Sequence, residues 1–312
     1  WHPQDLRIKT NEVINWDKYE SKRNYASVYH LASGLVVHLG QDDIPDVVFS
    51  ENKHQLVAES TLPYLREATW TGNKKDSYLM DLQSGETVKV AEAMSPYESM
   101  KVSPNGLYAT YYVDNNHYLY QVAQKQHIPL THAMRVQFSD EDHDYPTPAG
   151  SYGVAGWLED DKGLLIYDKY DIWLWDLPSL KTTRLTQGRE SHTRLRFIND
   201  DDERRFFSKS QSYKIMGYNH KDKHYSLQQL SLATGKMKVL KDAPKRLKFV
   251  AKAKESENWL YTEEDFQQFP DLWVSDENMA QTRRLSDVNP QVNDFLWGQN
   301  PELIEWQSTK GK

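Results

Sequence analysis

Asp140-Glu141-Asp142-His143-Asp144, followed by Tyr145-Pro146-Thr147-Pro148, puts four carboxylates and an imidazole into five consecutive positions. Side chains of these types can coordinate a divalent cation or hold an amine. Their spacing is not that of a regular ligand set, and an acidic, proline-rich stretch is ordinarily a solvated loop. The solvated loop is therefore favoured over a metal site. A second charged group runs from Lys236 to Lys254, where eight Lys or Arg residues face one acid, Asp242. Such a run can steer anions. Val239, Leu240, Leu247, Phe249 and Val250 interleave with it, however, which is the pattern of two strands with solvated alternate positions.

The elements that must carry these groups are strands. Six times a short apolar strand reaches a polar residue, turns, and is followed by another strand: at Tyr29-His30-Leu31, Met80-Asp81-Leu82, Tyr120-Gln121-Val122, Trp175-Asp176-Leu177, Gln228-Gln229-Leu230 and Val274-Ser275-Asp276. These junctions lie roughly 40 to 55 residues apart, the period of a four-stranded propeller blade. A single unit of that size cannot bury both faces of its sheet, so repeats must stack. The clearest unit runs from Tyr152 to Thr186. Tyr152 to Trp157 reads as a first strand whose glycines allow close backbone approach. A polar turn over 159–163, a strand at 164–167, a hairpin turn at 168–171 and the strand Ile172-Trp173-Leu174-Trp175 follow, with Thr183-Arg184-Leu185 closing the unit. Similar patterns predict Ser103-Pro104-Asn105-Gly106 as a turn before Leu107 to Tyr112, and a strand at Arg205-Phe206-Phe207. No long periodic helix is expected, only a helical turn within Glu277 to Gln281. The fold class is all-β: a β-propeller of four-stranded antiparallel blades, with about six repeats visible.

Composition narrows the function. A net charge of −7 argues against a general nucleic-acid binder. The absence of cysteine excludes disulfides and thiolate metal sites. No apolar run approaches the roughly 18 residues of a spanning helix. Met80, Met94, Met134, Trp157, Trp173, Trp175 and Trp297 read as core. The chain begins at Trp1 without an initiator Met or signal peptide, as a processed or excised piece would.

At Tyr152-Gly153-Val154-Ala155-Gly156-Trp157, Leu165-Ile166-Tyr167-Asp168 and Tyr170-Asp171-Ile172-Trp173 the sequence resembles the propeller of prolyl oligopeptidase-family serine peptidases. The bacterial branch akin to dipeptidyl peptidase IV and acylaminoacyl peptidase is the nearest. Further similar stretches are Phe269-Pro270-Asp271-Leu272-Trp273-Val274, Asn289-Pro290-Gln291 before Trp297, and Leu303-Ile304-Glu305-Trp306-Gln307-Ser308, which looks like the strand entering that family's catalytic domain. The resemblance covers about 101 to 306, carried by the order of the motifs more than by any one of them. It implies a following α/β-hydrolase domain with a serine, aspartate and histidine triad. That domain's nucleophile elbow needs Gly-x-Ser-x-Gly. Ala149-Gly150-Ser151-Tyr152-Gly153 has the wrong spacing and an all-β context, and eleven histidines do not make a triad. The stretch is expected to carry no catalytic residue, no metal site and no cofactor.

The resemblance also directs attention to Glu263-Glu264-Asp265-Phe266, because dipeptidyl peptidases of the family hold the substrate amino terminus with paired propeller glutamates. Neighbouring strand residues point to opposite faces, and the family's glutamate motif is not matched here. The sequence places the pair in an inter-strand loop of a late blade. The substrate-facing loop candidates are therefore Asp140, Glu141, Asp142, His143, Asp144, Glu263 and Glu264.

The expected organisation is a propeller over 1–286, with 1–23 the end of an earlier blade, and strands at 287–312 leading towards a hydrolase domain. The expected function is gating and positioning of short peptide substrates for that adjoining domain. Its partners would be the hydrolase domain and peptides, with no nucleic acid and no membrane, and a homodimer formed through exposed edge strands. The resemblance favours a periplasmic or secreted setting. A freestanding interaction scaffold is the alternative. Trp175-Asp176 is the dipeptide of WD repeats, but its Gly-His partner is absent and it does not recur. A propeller enzyme with a central site would need carboxylates or His and Asp ligands at the starts of several first strands, and no such periodic set is visible.

Overall fold

The computed structural model describes residues 4–49, 52–299, 301–302, 304–309 and 311. A helix opens it, α1 (Lys9–Lys18), where an earlier blade's end was expected. It buries no residue, so its sequence has no apolar stripe to reveal it. Local groups hold the segment: Lys9 pairs with Glu12, and Glu20 accepts from both Arg7 and Arg23.

Twenty-two strands follow, in six antiparallel sheets among the described residues. The first sheet has two strands, β1 (Ser27–His30) and β2 (Leu35–His38). The next joins β3 (Asp46–Val48), β4 (Gln55–Ser60), β5 (Lys75–Asp81) and β6 (Thr87–Met94), with a short helix α2 (Ala68–Thr71) between β4 and β5. Then come β7 (Lys101–Val102), β8 (Tyr108–Val113), β9 (Asn116–Gln121) and β10 (Gln126–Pro129). The fourth sheet is β11 (Val154–Trp157), β12 (Gly163–Tyr167), β13 (Ile172–Asp176) and β14 (Lys181–Arg184). The fifth is β15 (Thr193–Phe197), β16 (Ser212–Asn219), β17 (Tyr225–Ser231) and β18 (Met237–Ala243). The sixth is β19 (Arg246–Lys252), β20 (Trp259–Glu264), β21 (Asp271–Ser275) and β22 (Thr282–Arg284). Strand order equals chain order in every sheet, the up-and-down meander of a propeller blade. The fold is all-β, a β-propeller of four-stranded antiparallel blades.

The chain divides into two compact units. One takes the described residues up to Leu164 together with Asp176–Ser179; the other takes Leu165–Trp175 and the described residues from Leu180 on. In the first unit Val37, Leu39, Leu56, Ala58 and Met80 pack the two-stranded sheet on the second sheet, and Val57, Leu79, Met94, Met100, Ala109 and Tyr111 pack the second on the third. In the other unit Ile198, Leu227, Trp259, Ala243, Leu247 and Tyr261 join the fifth sheet to the sixth. Leu164, Leu165 and Ile166 of β12 are fully buried, as a strand covered on both faces requires. Each such aliphatic side chain contributes about 2 kcal/mol through burial.

The first repeating junction joins the two strands of the first sheet, and the others belong to the turns between third and fourth strands. The Asp81 carboxylate accepts the Gln83 and Ser84 amides, Asp176 that of Ser179, and Asp276 those of Ala280 and Gln281. The last of these makes 277–281 a carboxylate-bound turn instead of the expected helical one. In the fifth sheet the junction falls at Ser231, beyond Gln228-Gln229-Leu230, because β17 stays paired with β18 through Leu230 and ends at Ser231. Arg205-Phe206-Phe207 is not a strand. Phe207 is instead drawn into an aromatic cluster, with ring centroids 4.7 Å from Phe197 and 4.8 Å from Tyr213. The Ser103–Gly106 turn forms as expected: Asp161 accepts from Ser103 Oγ at 2.5 Å and the Asn105 amide at 3.1 Å, while Asn52 donates to the Ser103 carbonyl.

The glycine at 153 serves a different purpose from the one expected. Its φ of +95° lies in the left-handed region, and a Cβ there would meet nothing within 4 Å, so the need is conformational and not close approach. After β22 the described residues contain a 3-10 turn (Pro290–Asp294) but no strand. Ile304 and Trp306 are exposed, and Leu303 lies outside the described residues. Met80, Met94, Trp157 and Trp175 are core; Met134 and Trp173 are half-buried, and Trp297 is 49% exposed, its indole donating to the Val292 carbonyl. Among the described residues no helix is long and apolar enough to cross a membrane.

Candidate functional site

The acidic run forms the tip of a hairpin joining β10 to β11. Ser139 pairs antiparallel with Ser151, the Asp140 amide donates to the Gly150 carbonyl at 2.8 Å, and Tyr152 N–H donates to the Phe138 carbonyl at 3.1 Å. Side chains lock this frame. Glu98 accepts from the Ser151 amide at 2.6 Å and from its hydroxyl at 2.9 Å. Tyr112 OH reaches the Ala149 carbonyl at 3.1 Å. The Tyr152 hydroxyl donates to Asp140 Oδ1 at 3.2 Å and accepts the Glu141 amide at 2.7 Å. Burial first, then the neighbouring Asp140 charge, pushes the Tyr152 phenol above its ordinary range. Burial and the Glu98 charge push Tyr112 up to about 12.

Asp140 is thus a structural acceptor, also taking the Asp142 amide at 3.0 Å. His143 is bonded through Nε2 to the Thr147 carbonyl at 2.7 Å. Glu141, Asp142 and Asp144 are exposed, with Tyr145 beside them at 71% exposure. Among the described residues no three His, Cys, Asp or Glu side chains are grouped to hold a metal ion. The tip presents carboxylates and an aromatic ring, groups suited to an amine or a cationic side chain.

Glu263 and Glu264 are not brought to that hairpin's chemistry. They are the last two residues of β20, where the sequence placed an inter-strand loop. Being adjacent in a strand, they face opposite ways. Glu263 is buried in an ion pair with Lys241, and Glu264 pairs with Arg246 at 2.6 Å. Asp265 lies 3.4 Å from Lys245. The acidic triplet and the basic stretch on β18 and β19 therefore neutralise one another across neighbouring strands. This occupies both glutamates and three of the eight cations, Lys241, Lys245 and Arg246.

The residues that sequence reasoning missed form a latch repeated from sheet to sheet. Asp171, just before β13, accepts from Arg184 thirteen residues on, from Thr186 Oγ1 fifteen on at 2.7 Å, and from the Gly188 amide seventeen on at 2.5 Å. Asp271 repeats it with Arg284, Ser286 at 2.9 Å and the Val288 amide at 3.0 Å, at the same three spacings. Burial works to raise the Asp271 pKa, but these hydrogen bonds and the Arg284 charge outweigh it and hold the carboxyl below its usual range. In the second sheet Asp76 takes Lys89 at 2.8 Å and the Ala93 amide at 3.1 Å. In the third, Asn116 accepts from Thr131, fifteen residues on, at 3.2 Å. The visible signal was Arg184-Leu185-Thr186 recurring as Arg284-Leu285-Ser286 after Asp-x-Trp.

No family model matches the chain. No curated protein matches it either. Solved structures do. Dipeptidyl peptidase 4 of Porphyromonas gingivalis is 13% identical, with the match covering 93% of this chain and 50% of that one at a TM-score of 0.51. A protein assigned as a dipeptidyl aminopeptidase IV from Bacteroides ovatus is 9% identical, covering 85% and 47% at a TM-score of 0.54. The chain spans about half the length of these two structures. At such identities the likeness is one of fold. In fold, then, this chain is a β-propeller similar to those of dipeptidyl peptidase IV-type proteins.

Proposed function

We propose that this chain is the non-catalytic propeller portion of a serine peptidase, where it gates access and positions short peptides for an adjoining α/β-hydrolase domain. The observation that carries this reading is the match in fold over most of the chain to about half of two dipeptidyl peptidase-type structures. The hairpin at 138–152 supports it. In an up-and-down blade, the turn between the second and third strands and the connection leaving the fourth strand emerge at the same end. The exposed Glu141, Asp142, Asp144 and Tyr145 therefore sit at the end of their sheet that also carries the turn after Val113. Loops displayed together at one end of a rigid scaffold are where binding residues concentrate. A rim of this kind restricts entry by size and offers carboxylates to a peptide's amino terminus.

The test is to read the coding DNA beyond Lys312 and to express the whole protein. The expected frame continues as alternating strands and helices with Gly-x-Ser-x-Gly, then Asp, then His. The whole protein then hydrolyses dipeptidyl chromogenic substrates and residues 1–312 alone do not. A stop codon shortly after Lys312 overturns the reading and leaves a freestanding interaction propeller.

A further inference from the structure

The fifth sheet breaks the latch pattern, and the place where it breaks is an open cavity. Ser226 stands where the other four-stranded sheets have Asp76, Asn116, Asp171 or Asp271 at the start of the third strand. Opposite it in the ladder is Asp242, so the carboxylate and hydroxyl have exchanged strands. The cation is missing altogether. In the sixth sheet Trp273, two residues past the latch Asp271, pairs with Arg284. Here Gln228, two residues past Ser226, pairs with Val239. The β17–β18 bulge between these two pairs keeps Val239 and Asp242 on one face, and both line the same cavity.

That cavity measures about 250 Å³. Two carboxylates, Asp222 and Asp242, line it with Asn219, His224, Ser226 and Gln228, and no Lys or Arg does. Asp242 has no cation partner among the described residues, whereas Asp76, Asp171 and Asp271 each have one. Ser226 and Thr193, both of the lining, pack directly on the backbone of Gly217, where a Cβ would come within 2.3 Å of Ser226 Oγ and 3.1 Å of Thr193 Cγ2. Asn219 Oδ1 is taken by the Lys221 and Asp222 amides, Asp222 Oδ1 by the His224 amide and Ser226 Oγ by Gln228, which leaves the Asp242 carboxylate as the acceptor facing a space from which the chain has withdrawn its own guanidinium. With only two carboxylates and no grouping of three metal-ligating side chains, the site suits an organic cation better than a metal ion. A planar guanidinium, which meets a carboxylate with two N–H donors as Arg184 does at Asp171, matches Asp242 better than a point-charge ammonium.

We propose that this cavity binds the guanidinium group of an arginine side chain on a peptide, with Asp242 in the role that Asp171 and Asp271 play towards Arg184 and Arg284. The proposal rests on the reading of the chain as a peptide-positioning module and adds a side-chain preference to it. The probes are N-acetyl-arginine amide and N-acetyl-norleucine amide, titrated into residues 1–312 by calorimetry at low ionic strength. No peptidase activity enters this measurement, so its failure leaves the adjoining-peptidase reading to the coding-frame test alone.

Saturable binding of the arginine compound and none of the norleucine compound is expected. D242N, an exposed and nearly isosteric change, weakens that binding roughly tenfold or more while the circular dichroism spectrum stays unchanged. V239R supplies the missing cation from within, abolishing arginine binding and raising the melting temperature. Equal uptake of both probes, or undiminished affinity in D242N, overturns the proposal.

Discussion

His117 is 1% exposed, and neither ring nitrogen has a hydrogen-bond partner. Its neighbours are aromatic: Tyr112 with a ring-centroid distance of 5.0 Å and Phe138, edge-on, at 6.4 Å. Burial, reinforced by the Lys101 charge, pushes its pKa down to about 3. The unfolded chain takes up this proton near pH 6.5, so the unfolded state binds more protons between those values and stability falls as pH drops through that window. The loss at pH 5 is about 2 kcal/mol. Asp76, Asp81 and Asp271 do not interfere, because their depressed values mean that their contribution is lost only below the ordinary carboxylate range, near pH 4. Urea midpoints at pH 7 and pH 5 should therefore differ less in His117→Leu than in the parent chain. An unchanged pH dependence in that variant would exclude His117 as the source. The sequence showed the imidazole but not its burial. In the same way it showed Glu263 and Glu264 without the cations on β18 and β19 that occupy them.

At the scale of elements, the latch is what closes a blade. It ties the start of the third strand to the end of the fourth and satisfies amides that would otherwise be unpaired as the chain leaves the sheet. Asp171 has a side-chain exposure of 0% and meets Arg184, Thr186 and the Gly188 amide together. Asp171→Ala leaves the Thr186 hydroxyl and the Gly188 amide without their acceptor and Arg184 with Glu190 alone, and should cost about 3 kcal/mol. Thr186→Val, which removes the bond donated to Asp171 and the one accepted from the Ile172 amide, should cost about 2 kcal/mol. Denaturant unfolding measures both; equal costs would show that the carboxylate is not the hub. The strand positions were largely legible because burial on both faces writes apolar runs such as Leu164-Leu165-Ile166. Three local features were not: the β18 bulge, the aromatic capture of Phe207 and the helix α1. None of them depends on an apolar period, so none leaves one in the sequence.

For the whole molecule, the first sheet has two strands where the others have four. Strand β1 has only β2 as its partner among the described strands, and Tyr29, Leu31, Leu35 and Val36 are exposed on this pair, Leu31 at 89%. An uncovered apolar edge recruits strands from other chains. Light scattering should show mass rising with concentration, and Leu31→Lys should suppress the rise. A single monomeric mass from micromolar to near-millimolar concentration would remove this edge as an association site.

Spacing and strand pattern by themselves determined the all-β class, the repeat length and the absence of a nucleophile elbow, because each is a local or periodic property of the chain. They also located the acidic hairpin, since a run of charge with two prolines cannot be buried. Which carboxylates are available was decided only in three dimensions. Asp271 is neutralised by Arg284 on the strand paired with its own and Glu263 by Lys241 of the neighbouring sheet, whereas Asp242 lies beside Val239 on the lining of an open cavity. Charge pairing across a ladder depends on register, and a single bulge at Leu240 of β18 shifts that register without any mark in composition or period.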